Sequence, residues 1–116
     1  MTDSPNIHAA KAAATELVLR GARNVALKLG SAGAMVVTED QQIHHVPAYK
    51  INVADTTGAG DAFNGGLAVA LARDEPVLQA ARFANAAGAL AATKFGAQAS
   101  MPTADEVRML MADQPQ

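Results

Sequence analysis

The chain has no cysteine and no tryptophan among its 116 residues, and only three Phe and one Tyr. Without thiols there is no disulfide framework and no thiolate metal site, and the composition fits a reducing cytoplasm. No apolar run approaches the roughly 18–20 residues of a membrane span. The opening residues, MTDSPNIHAAK, lack the apolar stretch of a secretory signal. A formal charge of −2 leaves no broad basic surface, which speaks against nucleic acid or an acidic membrane as a partner. Large side chains are scarce too. Of 58 apolar residues, 28 are alanine. At roughly 25 cal/mol per Å² of apolar area, such side chains make a thin core, so the length suits one compact unit that is part of a larger fold.

What is present alternates between helix and strand. Ser4-Pro5 reads as a cap with proline at the first helical position, opening a helix over Ile7–Arg20 with Ala10, Ala13, Ala14, Leu17 and Val18 on one stripe. Gly21 stops it. Asn24–Leu29 reads as a strand, Gly30–Gly33 as a turn, and Ala34–Thr38 with Gln42–Val46 as a hairpin around Glu39-Asp40-Gln41. Lys50–Val53 suggests one more short strand. Helices are expected from about Asp61 to Arg73, from Pro76 to Phe95 with a stop at Gly96, and from Pro102-Thr103 to Met111, where Thr103 and Glu106 have capping-box spacing. Gly65, Gly66, Ala68 and Ala72 on the first of these, and Ala80, Ala84, Ala87, Gly88 and Ala91 on the second, would let two helices approach closely. This order argues for an α/β layered architecture.

The segment richest in chemistry is Asp55-Thr-Thr-Gly-Ala-Gly-Asp61, at a transition from extended chain into a helix. Glycines there turn the backbone tightly and expose successive amides, and the helix start adds positive partial charge, so the segment suits a phosphate. No Gly-Lys-Ser/Thr follows, which excludes a Walker A loop, and Phe63 stands where a dinucleotide fingerprint needs glycine. Asp61 has two readings: a helix N-cap bonded to the amide of Phe63 or Asn64, or a general base that takes a proton from a substrate hydroxyl. Spacing alone leaves them balanced. His44 and His45 alternate across a strand and cannot chelate one metal together, and His8 faces Ala12 at i+4, so histidine metal binding is not expected. Asp74-Glu75 reads as a solvated helix junction, and Met101, Met109 and Met111 as fillers.

The run Asp55 to Gly66 resembles the C-terminal signature of the ribokinase-like carbohydrate kinases of the phosphofructokinase-B (PfkB) type. Leu29-Gly-Ser-Ala-Gly33 resembles that family's nucleotide loop, Arg82-Phe-Ala-Asn-Ala-Ala87 its adenine-side helix, and Gly96-Ala-Gln-Ala-Ser-Met-Pro102 a segment typical of its ribokinases. The resemblance covers nearly the whole chain. It implies that residues 1–116 are a single C-terminal nucleotide-binding portion of a three-layer α/β/α fold, with a β-hairpin and a glycine-rich anion-hole loop opening a helix. The N-terminal sugar-binding half and its lid are missing, as is the family's Asn-x-x-Glu motif.

The resemblance also implies roles. Asp61 would be the catalytic base and touch the substrate. The anion hole would comprise Gly58, Ala59 and Gly60, with the amides of Ala59, Gly60 and Asp61 holding developing charge. Lys28, Leu29, Gly30, Ser31, Ala32, Gly33, Gly60, Asp61 and Asn85 would bind ATP. Asp55, Thr57, Ala91, Lys94, Gly96 and Ser100 would surround a monovalent cation, K+, through oxygens. Mg2+ would travel with the ATP phosphates. The implied reaction is ATP-dependent phosphorylation of a sugar's primary hydroxyl, foremost D-ribose to ribose 5-phosphate. Fructokinase or ketodeoxygluconate kinase activity and a truncated, non-catalytic nucleotide-binding module are the alternatives. The expected partners are ATP and a small sugar, with a homodimer open to the full-length parent. Lys28 departs from the family's usual small hydroxyl residue; its ammonium could meet a phosphate or point to solvent, the commoner destination for lysine.

Overall fold

The computed structural model describes residues 5–94 and 101–116. Where composition suggested one compact unit, the chain divides into two, Met1–Pro47 and Ala48–Gln116.

In the first unit, α1 (Pro5–Leu19) precedes a three-stranded antiparallel sheet of β1 (Val25–Lys28), β2 (Ala34–Val37) and β3 (Ile43–Val46), in that order. α1 ends in a Schellman motif: the Gly21 amide donates to the Val18 carbonyl and the Ala22 amide to that of Leu17, with Gly21 at φ 112°. The expected stripe on this helix narrows to Ala14 and Val18, which pack on Met35 and Val37 of β2; Ala13 and Leu17 are exposed. β2 is the central strand and buried throughout, pairing Val25 with Val37 on one side and Val37 with Ile43 on the other. The hairpin closes as expected, the Thr38 amide donating to the Gln42 carbonyl and Gln41 turning at φ 65°.

The second unit is helical: α2 (Ala59–Ala72), α3 (Val77–Ala91) and α4 (Ala104–Asp113). Its core joins Tyr49, Ala70, Ala80, Phe83, Ala86, Ala87 and Val107. The close approach of α2 and α3 is realised at Gly66, where an added Cβ would lie 3.1 Å from the Ala87 Cβ and 3.2 Å from the Ala84 Cα. The rest of the expected α2 face is corrected. Gly65, Ala68 and Ala72 are exposed, and the buried row is Ala59, Ala62, Phe63 and Ala70, at helical spacing. α4 starts with the expected capping box, Glu106 N–H donating to Thr103 Oγ1 at 3.2 Å and Thr103 N–H to Glu106 Oε1 at 2.8 Å. These bonds hold the Glu106 carboxyl below the usual glutamate range.

Two further expectations change. Lys50–Val53 forms no strand. Gln114 engages the Lys50 backbone instead, its Oε1 accepting from the amide and its Nε2 donating to the carbonyl, both at 2.8 Å, while Val53 stays 64% exposed. α3 ends at Ala91 rather than Phe95, and Phe95 and Gly96 lie outside the described residues. Asp74 is exposed in the left-handed region at φ 60°, as suits a solvated junction. No helix among the described residues is long and apolar enough to cross a membrane.

Candidate active site

In the second unit the glycine-rich loop enters α2 through Gly58, at φ 85° and ψ −7°. This left-handed conformation carries almost no penalty for glycine. The helix therefore begins at Ala59, two residues earlier than expected, and Asp61 is its third residue. The cap reading of Asp61 fails on this point, because a cap residue must precede the helix. The Asp61 side chain is exposed and has no hydrogen-bond or ion-pair partner among the described residues.

The first-turn amides are not equivalent. Ala59 N–H donates to the Thr56 carbonyl at 3.1 Å, and Ala62 N–H to that of Gly58 at 2.9 Å. Gly60 and Asp61 keep amides without a partner among the described residues, as a helix start leaves them. A carboxylate and two free N–H groups thus share the first turn of α2. Such a turn can stabilise charge on an anionic ligand, while the carboxylate can accept a proton.

Ahead of this turn, the Asp55 carboxylate accepts the Thr57 amide at 2.9 Å. The Ala54 and Asp55 amides both donate to the Ala92 carbonyl, at 2.8 and 3.1 Å. These two hydrogen bonds to one oxygen tie Asp55 to the end of α3, where the Ala91 carbonyl accepts the Lys94 amide at 3.3 Å. Of the six residues expected around a monovalent cation, Asp55 and Thr57 are thus joined through Ala92 to the stretch that holds Ala91 and Lys94. The other two, Gly96 and Ser100, lie outside the described residues. No group of three His, Cys, Asp or Glu side chains among the described residues is arranged to hold a metal.

Asn85 also belongs to this unit and is buried, at 3% exposure. Its amide is enclosed by the packing of α3 rather than held open to solvent. The remaining nucleotide candidates, Lys28 to Gly33, belong to the first unit. Gly30–Ala32 form a 3-10 turn closed by Leu29 N–H to Gly33 O at 2.8 Å and Gly33 N–H to Gly30 O at 3.1 Å, with Gly30 at φ 60° and Gly33 at φ 94°. Lys28 does not simply point to solvent. It is half-buried, and desolvation holds its ammonium below the usual lysine range.

Two residues with clear structural work carried little signal in the sequence. Gln114 near the end of the chain clamps Lys50, and nothing in a single glutamine announces that. By residue type His45 suggests only a metal ligand, yet its Nε2 lies 2.6 Å from the Ala32 carbonyl, inside the glycine turn.

The sequence pattern of the pfkB family carbohydrate kinases matches residues 1–104. The chain belongs to that family. Among pfkB relatives, ribokinase from Bacillus subtilis is 37% identical over 94% of this chain. The solved ribokinase of Arabidopsis thaliana, complexed with ribose and ATP, superimposes with a TM-score of 0.78 over 95% of the chain at 33% identity. Phosphofructokinase-2 from Escherichia coli, in complex with potassium, does so with a TM-score of 0.82 over all of it at 26% identity. These matches establish a ribokinase-like α/β fold. The chain spans 39% of the Bacillus protein, and 35% and 36% of the two solved chains.

Proposed function

We propose that the chain is the C-terminal nucleotide-binding portion of an ATP-dependent sugar kinase, with Asp61 as the base that activates the acceptor hydroxyl. One observation carries the reading: the Asp61 carboxylate stands in the same first helical turn as the amides of Gly60 and Asp61, and none of the three has a partner among the described residues. Phosphoryl transfer needs a group that accepts the hydroxyl proton and donors that hold charge on the transferred group, and this turn offers both. Ala59, already bonded to Thr56, shapes the turn rather than donating to a ligand.

Lys28 to Gly33 and Asn85 remain the nucleotide candidates. Asp55, Thr57, Ala91 and Lys94, with Gly96 and Ser100, would hold a monovalent cation, whose charge would support the loop that carries the anion hole. Bound with the nucleotide, Mg2+ would bridge and neutralise phosphate oxygens. The likeness to a ribokinase solved with ribose supports D-ribose as the acceptor, with fructose and ketodeoxygluconate kept in the panel to be tried. The enzyme would work in the cytoplasm.

The test is a coupled ADP-release assay over a sugar panel, on this chain and on the longest reading frame that contains it. The isolated chain is expected to show no sugar-dependent turnover, since positioning of the acceptor supplies most of such catalysis. In the full-length parent, Asp61→Asn is expected to lower turnover by about 10²–10⁴-fold, the usual worth of a general base, with ATP binding largely kept. Near-normal turnover in that variant removes Asp61 from the role.

A further inference from the structure

The turn from Leu29 to Gly33 spends most of its backbone groups on itself. Leu29 and Gly33 donate across it, and Ala32 N–H donates to the Leu29 carbonyl at 3.2 Å. The amides of Gly30 and Ser31 make no hydrogen bond among the described residues. The Ala32 carbonyl takes no part in these bonds and is held by the His45 ring at 2.6 Å. A carbonyl only accepts, so the bond requires a proton on Nε2. Both the neutral ring with its proton on Nε2 and the imidazolium satisfy it. His45 lies opposite Met35 in the β2–β3 pairing, and its backbone is fixed by the sheet. Its neighbour His44 makes no such bond to the turn.

We infer that His45 is a positioning residue for the glycine turn: it ties the Ala32 carbonyl to β3 and so fixes the face on which the Gly30 and Ser31 amides stay open for a ligand. The role of that face in holding a nucleotide rests on the function proposed above. The latch itself does not, since both its partners lie within one sheet-and-turn unit.

The experiment separates the two. Long-range proton–nitrogen NMR on the intact chain reads the His45 tautomer, which should carry its proton on Nε2 when neutral. Amide exchange at Ala32 and Gly33 should quicken in His45→Ala by about two- to tenfold, the range of one net hydrogen bond. It should return toward the parent rate in His45→Gln, whose side-chain amide can reach the same carbonyl, and stay unchanged in His44→Ala. Titration with ATP should show the dissociation constant rising by a similar factor in the alanine variant and recovering in the glutamine one. A neutral ring protonated on Nδ1 alone, or unchanged exchange at Ala32 and Gly33 in His45→Ala, overturns the latch. Should His45→Ala fail to fold, the tautomer and the His45→Gln exchange rates decide it. A latch that passes these readouts in a chain that binds no ATP leaves His45 as the turn's support and refutes the nucleotide reading instead.

Discussion

The two units solve the same shortage of large side chains in different ways. The first builds around a sheet, and its filling comes from β-branched residues, with Val36, Val37 and Val46 almost fully buried. The second reaches a closed interior with residues that have almost no side chain. Ala70, Ala80, Ala81, Ala84, Ala86 and Ala91 are all at zero exposure, and helices meet at a glycine. A valine core gains its stability from area removed from water. An alanine core gains less per residue and depends on backbones coming close enough for dispersion contacts. The first should suffer when emptied, and the second should suffer most when filled.

That contrast can be broken by substitution, with urea unfolding and site-resolved amide exchange as readouts. Phe63 and Phe83 are the large buried phenyl rings described in the alanine unit; Phe83, in its core cluster, is the one to empty, and Phe83→Ala is expected to cost about 3–5 kcal/mol. Next is Gly66→Leu, expected to cost about 3 kcal/mol, the upper range for overpacking, because one of the atoms in the way is the Ala84 Cα, which no rotamer change can move. A cost below about 0.5 kcal/mol, the level of an ordinary surface change, would show that the helices are not held by close approach. Val36→Ala in the first unit should cost about 2 kcal/mol and speed exchange in β1 to β3. Thr103→Ala should remove about 1 kcal/mol by opening the capping box. The same box has an acid limb. Because the Glu106 pKa is depressed in the folded state, its contribution is complete above about pH 4.5, the unfolded value, and fades as pH falls through the lower folded value. Smallest and opposite in sign is Gly65→Ala. An added methyl there meets nothing within 4 Å, so the variant should gain about 0.5–1 kcal/mol of helix propensity. Adjacent glycines responding with opposite signs would be the sharpest form of the comparison.

Much of this was readable in advance, and the failures share a cause. Turn and cap chemistry is local, so Gly21, the hairpin around Gln41 and the Thr103–Glu106 box all formed where their residue types predict. Periodicity failed where side chains are small. On α2, glycine and alanine occur on every side, and the pattern does not reveal that Ala62 and Phe63, rather than Gly65 and Ala68, face inward. Lys50–Val53 alternates like a strand, but a strand exists only through a neighbour's hydrogen bonds, and Gln114 takes the backbone of Lys50 instead. At the candidate site, the motif located Asp61 and its glycines. It did not indicate that Gly58 turns left-handed and starts the helix early, which moves Asp61 from cap to third residue and leaves its carboxylate without a backbone bond. Likewise, Lys28 gave no sign of its burial and His45 none of its tie to Ala32, because both depend on the pairing of strands.

The single carbonyl of Ala92, which receives the amides of Ala54 and Asp55, makes two distant stretches of sequence into one mechanical part. Lesions at the end of α3 would then be misfiled by any mutational scan that groups positions by sequence neighbourhood. They would look like helix defects, while their phenotype would track that of substitutions in the Asp55–Asp61 loop. Scored together, the two stretches should behave as one genetic unit.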